Sequence, residues 1–133
     1  MVIKLRIDFN SIKPIYLQIA EAVEDDILSG KLSEGGPAYS QLVLSRELGV
    51  NPATAAKGLL VLVQKGVLEK VRGQSMAVTE GAKARLRAEK RNSGFETLVQ
   101  NLAAEAARCG VSEKELTSII HGYYLKEGGK DHE

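Results

Sequence analysis

The sequence predicts a mainly α fold that carries one small β-hairpin, and three observations predict it. Apolar residues recur three and four apart in successive segments punctuated by Gly, Pro, Ser or Asn. One stretch, residues 67–79, changes to short β-type runs around an Arg72-Gly73-Gln74-Ser75 turn. The longest strictly apolar run, Leu59–Val63, falls far below the ~20 residues that span a bilayer.

The elements follow in order. Ile3, Leu5 and Ile7 alternate with Lys4, Arg6 and Asp8, the pattern of a short strand or extended arm. A first helix is expected over Pro14–Ser29, with Pro14 in the first turn and Gly30 as its stop. Ile15, Ile19, Ala22, Val23 and Ile27 share its apolar face, while Glu21, Glu24 and Asp25 make the other face acidic. Gly30–Tyr39, with Gly35, Gly36 and Pro37, reads as a turn region. Ser40 can cap a second helix that runs to Leu48, and Gly49-Val50 breaks it. Asn51 caps a third helix, Pro52–Lys65, whose Leu59, Leu62 and Val63 point inward while Thr54 and Lys57 share another side.

After Gly66, Val67–Val71 and Met76–Thr79 pair as a hairpin. Ala82–Arg91 is helical and basic, and Asn92-Ser93-Gly94 bends the chain. Phe95, Leu98, Leu102, Ala106 and Cys109 then keep a helical spacing up to Gly110. Ser112 and Glu115 form a capping box for a last helix that carries Leu116, Ile119, Ile120 and Tyr123 on one side and ends before Gly128-Gly129. Residues 130–133 are expected to be disordered. Three helices followed by a hairpin make a winged helix-turn-helix, expected as a domain over 1–80; residues 81–133 are expected to form a helical dimerisation region.

Composition excludes several function classes. At 44% apolar and 26% charged residues, the 133-residue chain is an ordinary globular sequence. The lone Cys109 and two distant His leave no disulfide and no zinc spacing; Cys109 is expected as a small buried apolar group. The N-terminus lacks the continuous apolar core of a signal peptide, so a cytoplasmic protein is expected. There is no nucleophile elbow, phosphate loop or metal motif, so no enzyme, cofactor or metal is expected. The formal net charge of +1 hides an asymmetry: residues 1–39 sum to −2, residues 40–91 to +6 and residues 92–133 to −3. A basic middle fits an electrostatic footprint for nucleic acid.

The winged helix-turn-helix order has a direct physical use. The third helix lies in the major groove, where each base pair shows its own donor and acceptor pattern. The second helix offers its N-terminal N–H groups to a phosphate, and the hairpin tip reaches the neighbouring backbone.

Residues 14–79 resemble the DNA-binding domain of GntR-family bacterial transcription regulators. The residues that carry the resemblance are Pro14-Ile15-Tyr16-x-Gln18-Ile19, Gly30-x-Leu32, Ser40, Glu47-Leu48-Gly49-Val50-Asn51-Pro52-x-Thr54, Leu59, Gly66, and Arg72-Gly73 followed by Met76-x-Val78. The short two-helix tail resembles the YtrA subfamily. The resemblance implies a homodimeric, usually repressing regulator of double-stranded DNA that binds a palindromic operator. It places Ser40, Asn51, Thr54, Lys57, Arg72 and Gly73 at DNA-touching positions. Lys70 and Gln74, beside them on the hairpin, complete the expected DNA-facing set.

The sequence also departs from that family. Ala38-Tyr39-Ser40-Gln41-Leu42 stands where Leu-Pro-Ser-x-Arg is common, so an Arg is replaced by Leu42. Ala56 replaces a common Arg on the third helix, Ser75 a common Gly and Ala77 a common aromatic. Each lost phosphate contact removes about one unit of salt dependence. Lys57, Lys70, Arg72 and the basic run from Lys83 to Arg91 stand against that loss.

Plainer readings stand beside these. Ser40 and Asn51 serve as helix caps in any case. The Lys83–Arg91 run fits a solvated face, and Tyr16 and Gln18 fit packing or capping roles, Tyr16 against the wing. Phe95, Leu98, Leu102, Ala106, Leu116, Ile119, Ile120 and Tyr123 form a packed helical pair, best buried across a two-fold axis. The short tail offers little room for a drug-sized cavity, which leaves a place between subunits for an unknown small-molecule effector, and an inducer would act by changing the spacing of the two DNA-binding domains. The alternative function is a winged-helix protein-interaction module with weakened or lost DNA binding, which Leu42 and Ala56 favour.

Overall fold

The computed structural model describes residues 5–73 and 75–128. The chain divides into two units, Met1–Glu89 and Lys90–Glu133.

The first unit is built on three helices, α1 (Ile15–Leu28), α2 (Gln41–Leu48) and α3 (Pro52–Gln64). Each starts and stops where its local chemistry requires. Pro14 stands before α1. Ser40 Oγ accepts from the Val43 N–H at 3.1 Å, and Asn51 Oδ1 accepts from the Ala53 N–H at 2.8 Å. Gly49, with φ +66°, closes α2 in a left-handed conformation. The core gathers Ile19, Val23 and Ile27 of α1, Leu44 of α2, and Ala55, Leu59 and Leu62 of α3. α1 and α3 touch at Gly58, where an added Cβ would lie 2.9 Å from the Tyr16 carbonyl oxygen.

The wing is shorter than the sequence suggests. β1 (Leu68–Glu69) and β2 (Ala77–Val78) pair antiparallel, Leu68 with Val78 and Glu69 with Ala77. Its far edge is not free, because Pro37 bridges to Ala77. Gly35 N–H donates to the Val78 carbonyl at 2.7 Å, and Ala38 N–H to the Met76 carbonyl at 2.8 Å. The expected Gly35-Gly36-Pro37 turn region therefore also serves as a third rung of the sheet.

α4 (Ala82–Lys90) packs on this same core through Ala82 and Leu86, which are fully buried. The division between units accordingly falls after Glu89, whereas the sequence places it at residue 80. Glu34 reaches from the turn region to cap α4, accepting from the N–H groups of Gly81 and Lys83, each at 2.9 Å. Those hydrogen bonds hold its carboxyl below the usual value.

Residues 5–8 form no strand; they are an extended arm whose Leu5 and Ile7 lie half-buried against the core. Gln18 holds the arm: its Oε1 accepts from Asp8 N–H at 2.7 Å, and its Nε2 donates to the carbonyls of Asp8 and Lys13, both at 2.9 Å. Ile3 of the expected strand, and the tail 130–133, lie outside the described residues.

In the second unit, α5 (Glu96–Arg108) and α6 (Glu113–Gly128) follow a kink at Ser93 and Gly94, the latter with φ +105°. Ser112 Oγ accepts from Glu115 N–H at 3.1 Å, the first half of the expected capping box. A single chain does not pack this pair into a core. Ala106 is the one buried residue among those described here, with Val111 and Leu116 half-buried. Phe95, Leu98, Leu102, Ile119, Ile120 and Tyr123 are exposed. Cys109, the last residue of that spacing, is exposed as well, not buried, because a single chain leaves most of the stripe uncovered; its thiol lies 3.7 Å from Glu105 Oε2.

No described helix is long and apolar enough to cross a membrane.

Candidate nucleic-acid interface

The starts of α2 and α3 are drawn together by one side chain. Gln41 Nε2 donates to the Pro52 carbonyl at 3.1 Å. Ser40 and Asn51, the caps of the two helices, therefore belong to one surface. Both use the side-chain oxygen for capping. The Ser40 hydroxyl proton and the Asn51 amide N–H groups remain to donate outward. Two helix N-termini on one surface concentrate partial positive charge, the arrangement that receives a phosphate.

Along α3, Thr54 is half-buried and Lys57 exposed. Tyr16, expected against the wing, lies under Lys57 instead: the ammonium nitrogen is 4.2 Å from the ring centroid. The ring holds the Lys57 stem on one side of the helix and limits the conformations open to it. Lys70, Arg72 and Gly73 are exposed on the wing, and Gly73, with φ +75°, makes the turn that a side chain would strain. Gln74 lies outside the described residues.

Not all of the basic middle faces outward. Lys65 Nζ lies 2.6 Å from Glu24 Oε2 and 3.1 Å from Glu89 Oε1, tying α3 to α1 and α4. Burial works against its charge, yet the two carboxylates outweigh burial and raise the Lys65 pKa. Arg85 donates to the Gly66 carbonyl, Thr79 Oγ1 and the Glu80 carbonyl at 3.1–3.2 Å, locking the base of the wing. These two cations serve the fold, and since Arg85 belongs to the Lys83–Arg91 run, that run has less free charge to offset a missing Arg than its composition implies.

The positions where the family resemblance calls for Arg are apolar in fact. Leu42 is 64% exposed beside the Ser40 cap. Ala56 lines an apolar groove of about 500 Å³ between the start of α2, α3 and the wing. Ser40 and Lys70 line the same groove, so two of the expected DNA-facing residues share its rim. Sequence reasoning missed this groove and the Gln41 bridge. The groove had a visible signal: Ala56, Leu59, Leu60 and Val63 stand at helical spacing, a second apolar face beside the core face. The Gln41 bridge had none, since it spans 11 residues.

Comparison with known proteins bears on this geometry. No family model matches the chain. The HTH-type transcriptional repressor YtrA of Bacillus subtilis is 31% identical over 116 residues, which cover 87% of this chain and 88% of that protein. The mannosyl-D-glycerate transport/metabolism system repressor MngR of Escherichia coli is 34% identical over 68 residues. That match covers 51% of this chain, which spans only 28% of the length of MngR. Among solved structures, a GntR family transcriptional regulator from Listeria monocytogenes superposes with a TM-score of 0.66 at 26% identity, over 86% of this chain and 98% of that one. YtrA from Sulfolobus acidocaldarius, a GntR-family transcription factor, superposes with a TM-score of 0.57 at 30% identity, over 71% of this chain and 97% of that one.

Proposed function

The chain belongs to the GntR family of HTH-type transcription regulators, in its YtrA-like branch, and on that premise we propose that it is a homodimeric cytoplasmic repressor of a palindromic operator. Each subunit sets α3 in a major groove, with Thr54 and Lys57 toward base edges and phosphates. The N–H groups at the start of α2 and α3 receive backbone phosphates, and Arg72 and Gly73 take the wing to the flanking backbone. Bound there, the dimer blocks polymerase.

The observation that carries this reading is the joining of the α2 and α3 starts through Gln41 and Pro52, with Lys57 exposed one turn further on. The dimer rests on the second unit. Two helices that leave Phe95, Leu98, Leu102, Ile119, Ile120 and Tyr123 uncovered present an apolar area that a second copy can bury. The first unit, with α4 packed on its core, would supply DNA contact, and the helices that follow it the dimer.

The test has two arms. Selection from random duplex DNA should enrich a palindrome, and Lys57→Ala and Arg72→Ala should each weaken binding of it. Sedimentation should find a dimer in the wild type and a monomer in a Leu98→Glu, Ile119→Glu double variant. The exposed Leu42 and the Ala56 groove favour a second reading, a winged-helix module that docks a protein. Absence of salt-sensitive duplex binding at low ionic strength would decide for that reading.

A further inference from the structure

The groove between α2, α3 and the wing has a chemistry that the DNA reading does not use. Its wall is apolar, with Ala56, Leu59, Leu60 and Val63 from α3 facing Met76 from the wing. Leu60 is 51% exposed, so apolar surface is open to solvent there. Phosphates and base edges would leave most of that wall poorly matched. A volume of about 500 Å³ lies within the range of small-molecule sites.

The rim is polar and one-signed. Lys70 and Met76 follow and precede the paired Glu69 and Ala77, and both line the groove. Among the described residues that line the groove Lys70 is the one cation, and none of them is acidic. The hydroxyls of Ser40 and Ser75 stand on the same rim. Ser40 Oγ already accepts from Val43, so its proton is available to an acceptor. The Gln41 amide is committed to the Pro52 carbonyl.

We infer that this groove is a binding site for a small monocarboxylate with an apolar body. The hydrocarbon covers the α3 wall, and the carboxylate accepts from Lys70 and a rim hydroxyl. Resting on the proposed function, the inference extends to regulation. Ser40 and Lys70 belong to both surfaces, so the bound acid and the duplex exclude each other. Control then acts on the reading head itself and needs no change of spacing between two DNA-binding domains.

The test titrates the full chain with sodium octanoate and, in parallel, with uncharged octanamide, following amide shifts by NMR. Saturable shifts are expected at Ala56, Leu60, Lys70 and Met76, with octanamide about fivefold weaker, the size of an exposed charge pair. Lys70→Gln should bring octanoate down to the octanamide affinity. Leu60→Glu, at a half-exposed site whose folding can be checked by its melting curve, should lose octanoate by more than about tenfold, since it adds a carboxylate to the apolar wall. Equal binding of the two ligands, or shifts confined to α5 and α6, would overturn the site. In a duplex-binding assay, octanoate at ten times its Kd should raise the duplex Kd about elevenfold. An unchanged duplex Kd under saturating octanoate would overturn the regulatory half. A chain that binds no duplex even without octanoate would refute the proposed function, while the NMR arm still decides the groove.

Discussion

Replacing Gly58 by Ala puts a methyl group at the point where α3 touches α1. Its Cβ would lie 2.9 Å from the Tyr16 carbonyl oxygen and 3.1 and 3.2 Å from two atoms of Ile19. Ordinary contact between such atoms is about 3.5–4.0 Å. Ile19 is fully buried and the carbonyl belongs to the α1 backbone, so neither can swing aside. The two helices must therefore part by several tenths of an ångström along their shared core. Two effects compete. Ala favours the interior of a helix over Gly by about 0.8–1 kcal/mol. Overpacking costs about 1–3 kcal/mol, and a backbone partner places this site toward the upper end. The net expectation is a loss of about 1–2 kcal/mol, or roughly 5–10 °C in Tm for a domain of this size. Gly122 in α6 is the control, since a Cβ there meets nothing within 4 Å. Thermal and urea melts at matched protein concentration should show Gly58→Ala less stable than wild type and Gly122→Ala no less stable. A Gly58→Ala protein that melts at or above wild type would refute the close-contact argument.

Three further outcomes are expected. Lys65→Met leaves the buried Glu24 carboxylate without its 2.6 Å partner and should cost about 2–4 kcal/mol in urea denaturation; a Glu24→Gln, Lys65→Met double variant should recover part of that loss. The Glu34 cap should fail in acid. Its carboxyl is depressed in the folded state, so its contribution is present above the ordinary value of 4.5 and is lost as pH falls through the lower folded value. Hydrogen exchange at Gly81 and Lys83 should rise relative to the unprotected rate in that window, and a Glu34→Gln variant should show no such step. Asn51→Ala should cost about 1 kcal/mol of stability through loss of the cap on α3. If Asn51 also faces a phosphate, duplex affinity should fall under conditions where the variant is fully folded.

What the sequence could foretell was decided by the range of each interaction. The starts of α2 and α3 were legible because Ser40, Asn51 and Pro52 act on backbone groups two or three residues away. The kink at Gly94 and the stop at Gly49 were legible because each depends on the conformational freedom of its own residue. The Pro37 rung, the Glu34 cap on α4 and the Gln18 clamp were not, because each joins segments separated by about 10 to 49 residues. α4 is mostly charged, and two residues, Ala82 and Leu86, are enough to place it on the first core. Arg85 and Lys65 could be counted as charge, but no spacing rule shows a cation turned toward carbonyls or a buried carboxylate. The expected site residues follow from position in a motif, and the same motif marks Leu42 and Ala56 as exceptions. Periodicity registers the apolar face that runs from Ala56 to Val63 and cannot tell whether a core or solvent lies against it.

That second apolar face makes α3 a helix with little neutral ground. One side is committed to the core through Ala55, Leu59 and Leu62, another to the groove through Ala56, Leu60 and Val63, and Thr54 and Lys57 take much of what remains. A saturation scan would therefore score nearly every position of α3 as intolerant, for unrelated reasons that a growth readout merges. Cellular abundance would fall for the core set. It would stay near wild type for the others, where the lesion is in what the folded protein binds. The two classes would alternate along the helix with a period near 3.6 residues, so the abundance trace alone would mark out which side of α3 faces the outside world.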